Sequence, residues 1–182
     1  MKSLLIYLLL VATPSFAAPV ELIRGLLSYD MPDFFYRLTP AGDPGDNPLS
    51  GQSRSVELGE LANGPKRLRQ LNVSIRAVGF TIGDGKRVST TPLSFDDLKK
   101  EMEQRLRYGG QTSKPEETLF AGHKALLLTA TVPKGEGPPL YKNTIWVPLT
   151  PNQVLEIDPT ATSPELLQTI LESFKTMKLT PK

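Results

Sequence analysis

Apolar residues along this chain recur mostly in a rhythm of two, broken in two places by a rhythm near 3.6. From Leu71 the positions Leu71, Val73, Ile75 and Ala77 share one phase, and Val78, Phe80 and Ile82 continue in the other. A change of phase beside Gly79 predicts one long strand over 71–82 carrying a bulge or sharp bend. Gly83-Asp84-Gly85 then reads as a tight turn. Lys124 to Val132 puts Leu126, Leu128, Ala130 and Val132 on one face and Ala125, Leu127, Thr129 and Thr131 on the other. Such a segment is expected as a central strand covered on both sides. Glu117 to Ala121 predicts a shorter strand before it, with Gly122 between. Lys134 to Pro139 is expected as a hairpin loop, and 140–149 as the returning strand. That strand carries Tyr141, Ile145, Val147 and Leu149 on one face and Trp146 on the other. Thr150-Pro-Asn-Gln153 then turns the chain into a short strand over 154–157.

The longer rhythm appears first after Ser94. Leu98, Met102 and Leu106 repeat every four residues, Phe95 extends the stripe, and Lys99, Lys100, Glu103 and Arg107 take the opposite face. Ser94 is a good N-cap, Asp97 makes an approximate capping box, and Asp96 and Asp97 suit the positive end of a helix dipole. Gly109-Gly110 supplies the stop. The second helix starts at Ser163 with Pro164 in the first helical position, where proline fits. Leu166, Leu167, Ile170, Leu171 and Phe174 give it the broad apolar face of a sheet-packing helix. The basic tail from Lys175 is expected to fray.

The first third of the chain is less regular. Residues 20–27 fit either a helical turn or a strand. Phe34 to Leu38 is rich in strand formers, and 39–53, with Pro40, Gly42, Pro44, Gly45, Pro48 and Gly51, predicts a loop. Ser53 to Leu58 suits a short strand, followed by the turn-like Asn63-Gly64-Pro65. Strands, a helix, a meander of strands and a closing helix describe an α+β domain with a mostly antiparallel sheet flanked by two or three helices.

The N-terminus changes the picture. Lys2 precedes the apolar run Leu4 to Ala12, Thr13-Pro14 breaks it, and Ser15-Phe16-Ala17 places small residues where a signal peptidase reads. Residues 1–17 are expected as a signal peptide cut after Ala17, leaving 18–182 as one domain in the periplasm. The run is about half the ~20 residues a spanning helix needs, and no later segment is long or apolar enough to span. The chain has no cysteine, so disulfides, thiolate nucleophiles, thiolate metal sites and a lipid-modified cysteine are excluded. A domain of this size buries about 70% of its unfolded surface, enough for a core without disulfides. Without Lys2 the 21 basic residues become 20 against 19 acidic ones. That balance lacks the basic stripe of a nucleic-acid binder.

The order of elements from Ser94 to Lys178 resembles the PsbP-like superfamily, which includes the DcrB-type bacterial envelope proteins. The resemblance is carried by the capped helix at 94–107, Phe120-Ala-Gly122 leading into a long strand, the Gly-rich hairpin and the 140–147 strand. It ends on Leu167-Gln-Thr-Ile-Leu-Glu-Ser-Phe-Lys175. It spans about half the mature chain. It implies a PsbP-like α/β/α sandwich and a group whose members mostly bind or assist other proteins. No site residue carries over.

Candidate chemistry is sparse. His123 is the one histidine and reads best as the start of a strand rather than as a catalytic base. Asp43-Pro-Gly-Asp46 and Asp96-Asp97 lack calcium-loop spacing, so no metal or other cofactor is expected. Glu101, Glu103, Glu116, Glu117 and Glu156 are available to a carboxylate-based hydrolase, but no spacing selects a pair. Asn72-Val73-Ser74 is a sequon inside a strand and reads as coincidence. Two features suit a partner surface. Lys66, Arg67 and Arg69 form a basic cluster that reads as a solvated loop or as a docking patch for an acidic protein or a weakly held anionic membrane surface. Tyr141 and Trp146 offer aromatic contact if the face of Trp146 is open; otherwise the tryptophan lies under a helix.

The expectation is a non-enzymatic exported protein that binds another envelope protein, as an accessory, chaperone-like or inhibitor (immunity-type) factor. Its rivals are a carrier of lipid or another hydrophobic ligand between the sheet and the Ser94 helix, motivated by Phe95, Met102 and Trp146, and a carboxylate-based cell-wall hydrolase.

Overall fold

In the computed structural model the described residues are 19–37, 52–61, 67–83, 86–89, 92–106 and 110–180. The predicted signal peptide, nearly all of the 39–53 loop and Lys66 fall outside them. The chain opens with β1 (Val20–Ile23), β2 (Leu27–Tyr29), β3 (Tyr36–Arg37), β4 (Gln52–Leu61) and β5 (Arg67–Ala77). Next come β6 (Phe80–Gly83), β7 (Lys86–Ser89), helix α1 (Phe95–Arg105), β8 (Gln111–Thr112) and β9 (Glu116–Phe120). The last part holds β10 (His123–Lys134), β11 (Gly137–Thr150), β12 (Gln153–Ala161), helix α2 (Pro164–Ser173) and β13 (Lys178–Leu179). The class is α+β, with a mostly antiparallel sheet and two helices.

The main sheet runs β3-β4-β5-β12-β11-β10-β8, with β9 also on β10. Its middle strand is therefore β12, whereas β10, expected at the centre, lies one strand from the edge. The reason is β4 and β5: the short strand predicted at 53–58 spans ten residues and joins the same sheet, shifting its centre. β10 is still apolar on both faces. Leu126, Leu128 and Ala130 pack with Trp146, Val154 and the α1 residues Leu98, Met102 and Leu106. Ala125 and Leu127 belong to the other cluster, with Ile145, Val147, Leu155, Ile157 and the α2 residues Leu167 and Ile170. The two helices thus pack against residues of opposite phase along the same strands.

Both helices begin where their caps predict. Ser94 Oγ accepts from the Asp97 N–H at 3.2 Å and Ser163 Oγ from the Leu166 N–H at 3.3 Å. Each such cap contributes about 1 kcal/mol. The bend at Gly79 is real, with φ at +69°. There the sheet strand β5 ends, and β6 leaves to pair with β7, placing Gly83 opposite Lys86. Glu101 of α1 accepts the Gly79 N–H at 2.9 Å, tying helix to bend.

Two expectations fail for clear reasons. The hairpin loop expected at 134–139 shrinks to Gly135-Glu136, because Lys134 already pairs with Gly137. A register shift after Val132 accommodates Pro138 and Pro139 within β11. The tail does not fray. Met177 is buried and β13 pairs with β2, so residues 178–179 join the hairpin of β1 and β2 in a three-stranded sheet β1-β2-β13. Residues 20–27 settle as a hairpin, and its Leu22, Ile23 and Leu27 join the core on the α2 side.

Candidate functional site

Alternation along three neighbouring strands sends polar side chains inward on the α1 side. β11 contributes Lys142, Thr144 and Trp146, β12 contributes Glu156 and Asp158, and β5 contributes Ser74 and Arg76. Trp146 and Glu156 are direct cross-strand partners, as are Glu156 and Ser74. Glu156, 2% exposed, accepts from Trp146 Nε1–H at 2.8 Å and pairs with Arg76 Nη2 at 2.6 Å. Asp158 accepts from the Thr144 hydroxyl at 2.5 Å and pairs with Lys142 Nζ at 3.2 Å. Two carboxylates two residues apart on the middle strand are thereby both buried and both paired.

Burial pushes the Glu156 carboxyl up to about 7, and the nearby Asp158 charge adds to the rise. Arg76, the Trp146 donor and Lys142 pull the other way without overcoming desolvation. The group therefore changes charge near neutrality, where the only tryptophan of the chain reports on it. Trp146 fluorescence should titrate with a midpoint near pH 7, and Glu156→Gln should remove that step. A flat profile in the unsubstituted protein would disprove the assignment.

Chemically this cluster holds a proton but offers no free nucleophile, since each carboxylate already has two partners. Trp146 is fully buried beneath α1, so it presents no surface to a partner. The space proposed for a hydrophobic ligand between α1 and the sheet is likewise filled by Met102, Trp146 and Leu128.

Of the residues expected at a partner surface, Tyr141 lines a cleft. It lies on the α2 side, where β10 and β11 stop burying leucine and isoleucine and turn polar. Two rungs cross three strands there: Ser113 beside Thr129 beside Asn143, and Gln111 beside Thr131 beside Tyr141. With Leu167 of α2 they line a cleft of about 360 Å³. Asn143 is 7% exposed and lines the cleft. Sequence reasoning named Thr129, Thr131 and Tyr141 on their faces but missed Asn143 and Gln111. The available signal was the switch from Leu127 and Ile145 to hydroxyl and amide residues within one alternating phase.

Of the basic cluster, only the Arg69 side chain is among the described residues. Arg69 is half-buried, 4.2 Å over the Phe34 ring and 3.3 Å from Glu60. Arg67 begins β5, and its side chain, like Lys66, lies outside the described residues. His123 is half-buried at the first position of β10. Among the described residues no group of three or more His, Cys, Asp or Glu is placed to hold a metal. No described helix is long and apolar enough to cross a membrane.

No family model matches the chain, and no curated protein matches it. The PsbP-like resemblance is thus carried by element order alone. Solved structures do match. LpqN, involved in cell envelope biogenesis of Mycobacterium tuberculosis, aligns over 90% of this chain and 90% of its own, with a TM-score of 0.53 and 14% identity. PA94, a Pseudomonas aeruginosa protein of unknown function, aligns over 66% of this chain and 76% of its own, with a TM-score of 0.44 and 22% identity. What this chain shares with LpqN at that identity is the fold.

Proposed function

We infer that the chain is a non-enzymatic, envelope-associated protein that binds another envelope protein as an accessory, chaperone-like or inhibitor factor. The cleft beside Tyr141 carries this reading: hydrogen-bonding side chains line an opening at the edge of a sheet whose same face is otherwise apolar. A few convergent amides and hydroxyls in a concave opening suit a recognition surface. The sealed Glu156 and Asp158 pairs support the non-enzymatic part, since a glycosidase needs its carboxyls open to substrate and water. The N-terminal signal pattern and the fold shared with LpqN, a protein of cell envelope biogenesis, support the envelope setting.

A crosslinking pull-down of the tagged mature protein from its native envelope tests the reading. One dominant protein partner is expected. Repeatedly empty pull-downs, with native mass spectrometry showing a small bound mass instead, would overturn it in favour of a ligand carrier. Peptidoglycan hydrolysis that Glu156→Gln abolishes in the folded protein would overturn the non-enzymatic part.

A further inference from the structure

We propose that the cleft receives an extended, uncharged peptide segment of the partner, laid along the edge strand β8. The inference rests on the protein-binding reading and adds to it the chemistry of the bound segment. The lining decides the charge. Gln111, Ser113, Thr129, Thr131, Tyr141 and Asn143 bring amides, hydroxyls and one aromatic ring, and no carboxylate, ammonium or guanidinium is among them. Lys142 also borders the cleft, but its ammonium pairs with Asp158 within the inward polar cluster on the other phase of the strand. A charged segment would lose its hydration there and gain no counter-charge.

The edge decides the shape. β8 ends the strand order of the sheet, and among the described residues nothing pairs with its outer side. Ser113 donates its N–H inward to Thr129 O at 2.8 Å. By the alternation of an antiparallel ladder, neighbouring Thr112 turns its own N–H and C=O outward. An added strand takes its affinity from such main-chain groups and its specificity from a pocket beneath. Here the pocket is the cleft, whose Asn143 carboxamide can both donate to and accept from an uncharged polar side chain or peptide group. Gly110 keeps the edge in place, because a Cβ there would lie 2.1 Å from Thr131 O. A side chain at 110 would push β8 off β10.

The test uses the full mature chain, isotope-labelled, and follows the amide resonances of the six lining residues. Three probes are compared: a library of capped pentapeptides built from Gly, Ala, Ser, Thr, Asn, Gln and Tyr, a matched library rich in Asp, Glu, Lys and Arg, and chitotriose. The uncharged library is expected to shift the lining residues, and the charged one to leave them in place. Asn143→Leu should weaken the uncharged library about tenfold, the factor that ~1.4 kcal/mol represents. Thr131→Val, which keeps shape and removes a hydroxyl, should weaken it too and guards against a misfolded variant. Shifts from chitotriose alone, equal shifts from both libraries, or no shifts at all would each overturn the proposal. A dominant partner whose crosslinks avoid 111–113 would overturn it while leaving the protein-binding reading intact. No partner and no peptide binding together would remove both.

Discussion

Replacing Glu156 with glutamine should make the protein more stable at pH 8, although it breaks an ion pair with Arg76. The sign follows from the raised pKa. The carboxyl titrates at about 7 in the folded protein against 4.5 for an unperturbed glutamate. A group held up in this way contributes fully below pH 4.5, and its contribution is lost as pH rises through 7. By pH 8 the loss is about 3 kcal/mol, because each pH unit between those two values is worth ~1.36 kcal/mol. Glutamine keeps the shape and an oxygen for Trp146 Nε1–H but carries no charge to bury. Arg76, about a quarter exposed, can then turn to water. Urea unfolding at pH 4.5 and pH 8 checks this: the variant should gain about 3 kcal/mol at pH 8 and almost nothing at pH 4.5. Loss of stability at pH 8 would mean that the Arg76 pair outweighs desolvation, as truncating one member of a buried pair often does.

That cluster shows where sequence reasoning reached and where it stopped. The alternation around Trp146 was legible, including that it faces away from Ile145 and Val147. What covers Trp146 was not, because the phase of a strand gives a face but never its neighbour. The repeat Leu98, Met102, Leu106 fixed a helix and its apolar stripe, yet nothing local says which side of the sheet receives it. Glu156 stood among five available glutamates for the same reason. Its partners Arg76 and Trp146 sit on two different strands and meet only through the β5-β12-β11 register.

Strand order was the larger omission. Local signals of period two identified the longer strands and capping serines placed both helices, while β7, β8 and β13 went unmarked and 20–27 stayed open between helical turn and strand. The middle of the sheet went to β10 because its leucine-rich run is the most apolar. In the structure that place belongs to β12, which carries two carboxylates in its interior. Burial of ions at the centre follows from long-range pairing, and hydrophobic counting argues against it at that position. Residues 129–131 failed more gently. Their threonines read as tolerated polar positions in a covered strand, and only the opposite partners Tyr141 and Asn143 turn them into one wall of a cleft.

Tyr29→Ala should be among the most damaging single changes, lowering stability by about 3–5 kcal/mol, the range for emptying a large aromatic site. Tyr29 sits on a three-residue strand that no strong sequence pattern marks, yet it is fully buried. Its ring packs in the α2-side cluster, and its hydroxyl meets Ser173 Oγ at 2.5 Å, joining the N-terminal hairpin to the end of α2. Tyr29→Phe keeps the ring and should lose only about 1 kcal/mol, one hydrogen bond. Burial also pushes the phenol up to about 12, so its contribution is full below pH 10 and lost as pH rises through 12. The phenylalanine variant should therefore lose less stability than the parent between those values. Unfolding is best read from Trp146, which lies in the other core cluster from Tyr29. If the hairpin is integral to the domain, the alanine variant shifts the Trp146 transition by the full 3–5 kcal/mol. If the hairpin merely docks, the Trp146 transition stays where it is while the hairpin detaches, and the joining of the β1-β2 hairpin to α2 and β13 contributes nothing to the core.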